Sequence, residues 1–366
     1  MTVSGGAILS ERGTLDSIQV MRGFAAVLIV IYHALKETVS LYGLTNFSAG
    51  QLEPLIYGID LFFVISGFIM IYTSPAEFNA SAAKTFMLKR IARIVPLYWF
   101  FITLLVIAYF ILPQQLDYLG FNINDVVKTY LFIPYYNGDG ILMPFYKVGW
   151  TLNYEMYFYA LFAFFMLIPK RFFMIALTIA LLVPVFFMRG SAEQNEIIHF
   201  ISAPIVLNFL SGIWIGFMVK KGIALPTIIK YLGVLVIAAS LIWLIFAAQI
   251  YAATGLSFPQ KTFAALTIAL IVLPRGAFDM KMPKFAGFLG DSSYSLYLSH
   301  SFAIGVLVVC IGQLDLTAHV APWLFCGLCL FLSISAGSVS FLLIEKPMLR
   351  LSKSYILRQN KNLFNR

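Results

Sequence analysis

The chain has 366 residues, of which 61% are hydrophobic and only 11% charged, and its formal net charge is +9 at pH 7. A soluble domain of this size would carry about 25% charged residues. The composition therefore excludes a soluble protein and indicates a helical protein that crosses a membrane several times. The basic residues lie between the apolar segments, where orientation signals belong, so the positive charge does not suggest a nucleic-acid partner.

Apolar segments long enough to form membrane helices recur along the chain, since one span needs about 20 apolar residues. The predicted spans are residues 18–37, 55–73, 91–112, 149–168, 172–188, 200–219, 227–249, 261–274, 288–311 and 321–344. The longest break is 113–148, where a partial or interfacial helix is expected around 125–136. We predict an all-α, polytopic bundle of about ten transmembrane helices that forms a single domain over residues 1–366. The first segment is interpreted as a retained span, not a signal peptide.

The distribution of Lys and Arg predicts the orientation. With the N-terminus inside, 18 of these residues fall in inner segments and 5 in outer segments. Because cytoplasmic loops are enriched in Lys and Arg, both termini are predicted to be cytoplasmic, as residues 1–17 and 346–366. The basic tail at 346–366 is expected to rest on anionic lipid headgroups.

The first segment contains an arginine and a histidine, Arg22 and His33, and each is costly in hydrocarbon. Eleven residues of helix turn through about 1100°, roughly 20° from three full turns, and rise about 16 Å. Both side chains are therefore expected on one face, as a polar stripe with a cation at one end and a titratable base at the other. The alternative is a snorkelling Arg22 and an interfacial His33.

Two intramembrane carboxylates follow, both predicted near the outer surface. Asp60 opens the second segment, and a catalytic role and a helix-capping role are equally open for it. Glu155 shares a helix face with Thr151 and Tyr159 at i, i+4 spacing. An unpaired buried carboxylate would be costly, so Glu155 needs a partner. The candidates are Arg22, His33 and the tyrosines. A purely structural bond between helices is the alternative.

Two further polar patterns stand out. Arg90 and Arg93 share a helix face at the predicted inner surface. A pair of arginines suits phosphate binding. It is equally open that their positive charge only anchors the helix at the cytoplasmic surface of the membrane. Ser293, Tyr297 and His300 form one stripe at i, i+4 and i+7. They are candidates for lining a substrate, and a core histidine bonded to a neighbouring helix is the alternative for His300.

Six short motifs occur in order over nearly the whole chain. They are QVMRGFAAVLIVIYH, GIDLFFVISGF at 58–68, the R-x-x-R of Arg90 and Arg93, WTLNYEMYFY at 150–159, SSYSLYLSH at 292–300 and EKP at 345–347. Together they resemble the acyltransferase 3 family of membrane O-acyltransferases. The start, SIQVMRGFAA, is most similar to the branch that modifies bacterial exopolysaccharides.

The resemblance implies a multi-pass protein of the bacterial cytoplasmic membrane. It would move an acyl group, usually acetyl, from cytoplasmic acyl-CoA to a hydroxyl of a polysaccharide or lipid-linked glycan on the far side. His33 matches the family's catalytic histidine, Arg22 its helix partner, and Arg90 and Arg93 the pair linked to donor binding. The positions that match motifs without a settled role are Glu155, Ser293 and Tyr297. No metal and no permanently bound cofactor are expected, with acyl-CoA, typically acetyl-CoA, as donor substrate.

The residues suggest a division of labour between the two membrane surfaces. The arginine pair would hold the CoA phosphates at the inner surface, and the thioester arm would pass Arg22 along the polar stripe. His33 would deprotonate the sugar hydroxyl or accept the acyl group itself. Either carboxylate, Glu155 or Asp60, would orient the His33 ring and fix its tautomer.

Two other functions stay open from the residues alone. Intramembrane ionisable groups also form proton relays, so a proton-coupled transporter or exporter is the main alternative. The chain shows no inverted repeat of the kind that many transporters have. The other is N-acylation of a small molecule on the cytoplasmic side.

Overall fold

The computed structural model describes residues 4–44, 52–226, 260–273 and 283–352, with isolated positions between 228 and 246. This part of the chain consists of helices joined by turns, with an isolated antiparallel bridge between Tyr136 and Leu142. The all-α prediction is confirmed for these residues. Six helical stretches among them have the length and composition to cross a membrane, and two shorter apolar helices accompany these.

The main helices are numbered here in chain order. They are α1 (Ser4–Tyr42), α2 (Tyr57–Tyr72), α3 (Ala80–Ile111), α4 (Ile123–Tyr130), α5 (Trp150–Phe165), α6 (Lys170–Val183), α7 (Glu196–Ile201), α8 (Val206–Lys220), α9 (Gln260–Val272), α10 (Lys284–Asp291), α11 (Ser293–Gln313) and α12 (Pro322–Ser340). Turns of π-helix extend α6 through Pro184–Met188 and α12 through Phe341–Glu345. The predicted spans 200–219 and 288–311 each fall on two consecutive helices, the span 227–249 lies largely outside the described residues, and each other predicted span falls mainly on one helix.

The third helix is longer than predicted. It begins at Ala80, where the Asn79 side chain accepts a hydrogen bond from the backbone N–H of Ala82 at 2.9 Å. Pro96 therefore lies inside α3. Hydropathy misplaced the start because the first turns of α3 carry polar and charged side chains. At 1.5 Å per residue this helix is about 48 Å long, more than the roughly 30 Å of a bilayer core.

The break at 113–148 contains the expected short helix, α4, shifted to Ile123–Tyr130. A buried tyrosine, Tyr135, holds the chain that follows: its hydroxyl lies 3.0 Å from Thr129 Oγ1 and accepts the Phe145 N–H at 2.5 Å. Burial raises the pKa of this hydroxyl above its ordinary value. The loop is therefore packed around its own small core.

The chain divides into two compact units. One, unit 1, comprises Met1–Thr73 and Leu207–Ser338, and the other, unit 2, comprises Ser74–Val206 and Val339–Arg366. The main core of unit 1 is an apolar cluster contributed by α1, α2, α8 and α9. In unit 2, aromatic rings of α3, α5 and α6 stack on one another, as in the pair Phe86 and Phe162 with ring centroids 4.9 Å apart.

Glycines allow α2 and α8 to touch along their backbones in unit 1. A Cβ atom added at Gly67 would lie 3.0 Å from the backbone nitrogen of Ile213, and one at Gly212 would lie 2.8 Å from the carbonyl carbon of Val64. Small residues at such crossings are the usual means of close packing between membrane helices. Gly67 and Gly212 therefore allow the two helix backbones to approach closely.

The contacts also show how α2 and α8 are directed. Asp60 contacts Asn208, and four residues further along each helix Val64 faces Gly212. Contacts that advance together along both helices mean that the two run parallel. The predicted orientation gives these two helices the same direction, so this packing agrees with it.

Candidate functional site

Two histidines meet in unit 1. The ring centroids of His33 on α1 and His300 on α11 lie 5.0 Å apart, with the ring planes at 41°. His33 is half-buried, whereas His300 is fully buried at 0% exposure. Tyr297 lies beside this pair, with its ring centroid 5.9 Å from that of His300 and 6.1 Å from that of Phe62. His300, at the end of the predicted stripe, therefore faces α1, and Tyr297 of the same stripe lies against Phe62 of α2.

Apolar side chains enclose the histidine pair from two directions. On the N-terminal side of the two histidines along α1 and α11, the cluster consists of Ala26, Val30 and Leu296. On their C-terminal side, the cluster consists of Ala34, Ile304, Ile311, Phe325 and Cys329. Because His33 lies between Val30 and Ala34, and His300 between Leu296 and Ile304, the two rings form a polar layer between these two apolar clusters. Polar groups at such a depth in a membrane protein mark functional sites by default.

The hydrogen bonding of His300 defines its tautomer. Its Nδ1 lies 2.7 Å from the backbone carbonyl oxygen of Tyr297, and a carbonyl can only accept, so Nδ1 carries the proton. In the neutral ring the other nitrogen, Nε2, then has a free lone pair. This Nε2 is buried and has no hydrogen-bond partner among the residues that the structure describes. The bond of His300 thus goes to its own helix and not, as the alternative held, to a neighbouring one.

Arg22 lies where α1 crosses α10. Its Nη1 donates to the side-chain oxygen of Gln19 at 3.1 Å, and the Gln19 amide donates in turn to Asp291. The backbones touch beside them, since a Cβ at Gly23 would lie 2.9 Å from the nitrogen of Gly290. With only 8% of its surface exposed, Arg22 does not behave as the snorkelling side chain of the alternative interpretation.

The expected polar track from Arg22 to His33 is wrong. Both residues lie on one face of the continuous helix α1, as their spacing predicts. The residues between them on that face are apolar and buried, namely Ala25, Ala26, Ile29 and Val30. Spacing brings two residues to one face, but a polar path also needs polar residues in the intervening turns, and α1 has none there.

Asp60 fastens α2 to α8. It is 4% exposed in the first turn of α2, and its Oδ1 accepts a hydrogen bond from the Asn208 side chain at 2.5 Å. This bond supports the structural role of Asp60. Nothing in the local sequence links this residue of α8 to one of α2, so the contact is seen only in the folded structure.

In unit 2, the partner of Glu155 is a tyrosine, Tyr159, as one of the predicted alternatives held. The hydroxyl of Tyr159, one turn further along α5, donates to Glu155 Oε1. The guanidinium of Arg90 lies 5.3 Å from the ring centroid of Tyr159 and 5.3 Å from that of Phe86. One cluster therefore contains the carboxylate, the tyrosine and Arg90, and Arg93 follows about one turn further along α3.

This cluster corrects the predicted separation of Glu155 from Arg90. The sequence placed Glu155 near the outer surface and Arg90 at the inner one, yet a single tyrosine ring connects them. The reason is that α3 begins at Ala80 and α5 is only 16 residues long, so Arg90 lies a third of the way along its helix and Tyr159 beyond the middle of its own. The sequence analysis did not predict that the Arg90 guanidinium lies against the rings of Phe86 and Tyr159. The contact with Phe86 could have been predicted, because Phe86 lies four residues before Arg90 on the same helix face.

The candidate residues thus divide between the units. Unit 1 contains Arg22, His33, Asp60, Ser293, Tyr297 and His300, and unit 2 contains Arg90, Arg93 and Glu155. Ser293 is fully buried, and its hydroxyl has no hydrogen-bond partner within the described ranges. Over those same ranges, His, Cys, Asp and Glu side chains form no group of three that could hold a metal ion.

The comparison with known families decides the class of this protein. The profile of the acyltransferase domain Acyl_transf_3 matches residues 15–341. The chain belongs to the acyltransferase 3 family. The resemblance drawn from the six motifs is therefore confirmed, and so is a membrane acyltransferase built of apolar helices.

One curated relative extends the comparison of this acyltransferase. The chain is 29% identical over 310 residues to the exopolysaccharide production protein ExoZ of Rhizobium meliloti (strain 1021). The matched region covers 80% of this chain and 89% of ExoZ. No solved structure matches the chain.

Proposed function

We propose that this acyltransferase moves an acyl group, in particular acetyl, from acyl-CoA to a hydroxyl of an exported or envelope polysaccharide. Family membership supports the reaction class, and the name of the relative ExoZ supports the exopolysaccharide acceptor. The protein would cross the bacterial cytoplasmic membrane about ten times, with both termini on the cytoplasmic side. The observation that carries the proposal is the half-buried His33 in the polar layer of unit 1.

His33 is the proposed base for the acceptor. An imidazole has a reference pKa of about 6.5, close to working pH, and general-base catalysis by histidine is common. In the transfer step the sugar hydroxyl gives its proton to His33 while its oxygen attacks the thioester carbon. The C–O bond forms, the C–S bond breaks, and the leaving thiolate takes the proton from His33 to become the thiol of coenzyme A.

Arg90 and Arg93 are the proposed binding groups for the phosphates of the donor. Phe86 and Tyr159 lie against the guanidinium of Arg90, which a cation–π contact holds in place. A guanidinium held in this way can offer its N–H groups in the fixed fork that suits phosphate oxygens. Glu155, bonded to Tyr159, would complete this cluster as a positioning group.

The proposal is tested with protein in vesicles, radiolabelled acetyl-CoA and a polysaccharide acceptor from the producing cell. Wild type is expected to place label on the glycan. His33→Ala should lower the rate by about 10²–10⁴-fold, with a normal amount of protein in the membrane, because a methyl group is cheaper to bury than an imidazole. The control is His319→Ala, which alters an exposed histidine and should keep the wild-type rate.

Two outcomes would contradict the proposal. Label transfer at the wild-type rate by a well-expressed His33→Ala protein would remove His33 from the mechanism. A wild-type protein that carries a substrate across the vesicle membrane, and leaves no label on the glycan or on itself, would be a transporter.

A further inference from the structure

We propose that His300 is the positioning residue of His33. In this arrangement His300 Nε2 accepts a hydrogen bond from one ring nitrogen of His33, and the other ring nitrogen of His33 is left as the base that faces the acceptor hydroxyl. The inference rests on the proposed function and assigns a partner within it. It replaces Glu155 and Asp60, the carboxylates expected from the sequence to orient this ring.

The geometry of the two rings suits one N–H···N bond. A bond of about 2.9 Å between nitrogens that each lie about 1.1 Å from their ring centroid gives a centroid separation of about 5 Å. The observed separation is 5.0 Å. A rotation of the His33 side chain would align the two nitrogens, and catalytic hydrogen bonds commonly become linear only when substrate is bound.

The protonation of His300 gives it the required acceptor. Its Nδ1–H is committed to the Tyr297 carbonyl, so Nε2 presents a lone pair. That atom is fully buried and has no hydrogen-bond partner within the described part of the chain. A buried polar atom without a partner is costly and calls for an explanation, such as a role in catalysis. The ring of His33, 5.0 Å away between centroids, has an N–H donor to offer.

A second buried donor faces the same region. The α11–α12 crossing brings Leu296 against Gly337, where an added Cβ would lie 2.7 Å from the Leu296 Cα. Ile304 and Cys329 belong to one buried cluster, so the neighbours on α12 go back from Gly337 to Cys329 as α11 advances from Leu296 to Ile304, which indicates that the two helices are antiparallel. One turn from the crossing, His300 therefore lies opposite Ser333, whose buried hydroxyl also lacks a partner among the described residues. His33 remains the better partner, because the contact between its ring and that of His300 is observed.

A neutral partner suits this depth. A carboxylate in the same place would have to be desolvated, whereas a neutral imidazole carries no such cost. During transfer His33 gains the hydroxyl proton at its open nitrogen and returns it to the leaving thiolate. His300 keeps its own Nδ1 proton throughout and only accepts the hydrogen bond, which strengthens while His33 is cationic.

The test compares His300→Phe, which keeps a flat ring but has no lone pair, with His300→Gln, which keeps an acceptor oxygen. His300→Phe is expected to lower kcat by about 10–100-fold, the usual effect of losing an orienting partner, with unchanged KM for acyl-CoA. His300→Gln should recover at least part of kcat. Ser333→Ala and His319→Phe, which changes an exposed histidine in the same way, should keep the wild-type kcat.

A double variant separates positioning from a structural role. If His300 acts through His33, adding His300→Phe to His33→Ala should not lower the residual rate further, because residues that act as one unit are not additive. A further tenfold loss would refute the proposal, and so would a wild-type kcat for His300→Phe. If the Phe protein does not accumulate in the membrane, His300→Leu takes its place with the same outcomes. Failure of wild type to transfer label would instead overturn the proposed function itself.

Discussion

A single methyl group at the crossing of α2 and α8 should destabilise unit 1. Gly212→Ala places a Cβ 2.8 Å from the carbonyl carbon of Val64 and 2.9 Å from the nitrogen of Phe68. Ordinary contacts between such atoms are about 3.5 Å. Backbone atoms cannot rotate away as a side chain can, so the two helices have to separate by roughly 1 Å.

The separation also acts on a bond one turn away. Asp60 and Asn208 are 2.5 Å apart in the wild-type protein. Moving the helices apart by roughly 1 Å takes this pair to the limit of a hydrogen bond. Overpacking of a tight contact costs about 1–3 kcal/mol, and the weakened bond of a buried acid adds about 1–3 kcal/mol. The sum, about 2–6 kcal/mol, is a large part of a typical unfolding free energy of 5–15 kcal/mol.

Thermal unfolding in detergent measures the effect. Gly212→Ala is expected to lower Tm by roughly 5 °C or more. Gly305→Ala is the matched control, because Gly305 is also a helical glycine of unit 1 and no atom lies within 4 Å of its added Cβ. This control should be neutral or stabilising, since alanine favours helix over glycine by about 1 kcal/mol. A Gly212→Ala protein that unfolds at the wild-type temperature would show that the crossing is not a tight contact.

Two further predictions concern the donor cluster and the orientation of the chain. Replacing both Arg90 and Arg93 by lysine keeps the charge but removes the guanidinium fork, so the apparent KM for acyl-CoA should rise while Lys89→Arg, an exposed neighbour, leaves it unchanged. A double-lysine protein that titrates with acyl-CoA like wild type would make the pair a plain anchor. Single cysteines at Ser81 and Asp139, both exposed, test the charge-based orientation in a background without the three native cysteines. A membrane-impermeant thiol reagent should label position 139 from outside and position 81 only in inverted vesicles, and the opposite pattern would reverse the orientation.

Features that depend on neighbouring turns of one helix were predictable from the sequence. The apolar segments indicated membrane helices because hydropathy reports directly on the surrounding solvent. The spacing of Arg22 and His33, and that of Glu155 and Tyr159, placed each pair on one helix face, since that face repeats every 3.6 residues. The order of the six motifs was enough to identify the family.

Which helix faces which was decided only by the tertiary structure. Nothing in the local pattern shows that His300 lies against His33 or that Asn208 binds Asp60, because these pairs come from parts of the chain far apart in sequence. The separation of Glu155 from Arg90 was overestimated for a related reason: hydropathy marks where a helix becomes apolar, not where it begins. The relative depth of two side chains depends on the real lengths of their helices and on how those helices pack, and packing depends on the shapes of surfaces that meet only after the chain has folded.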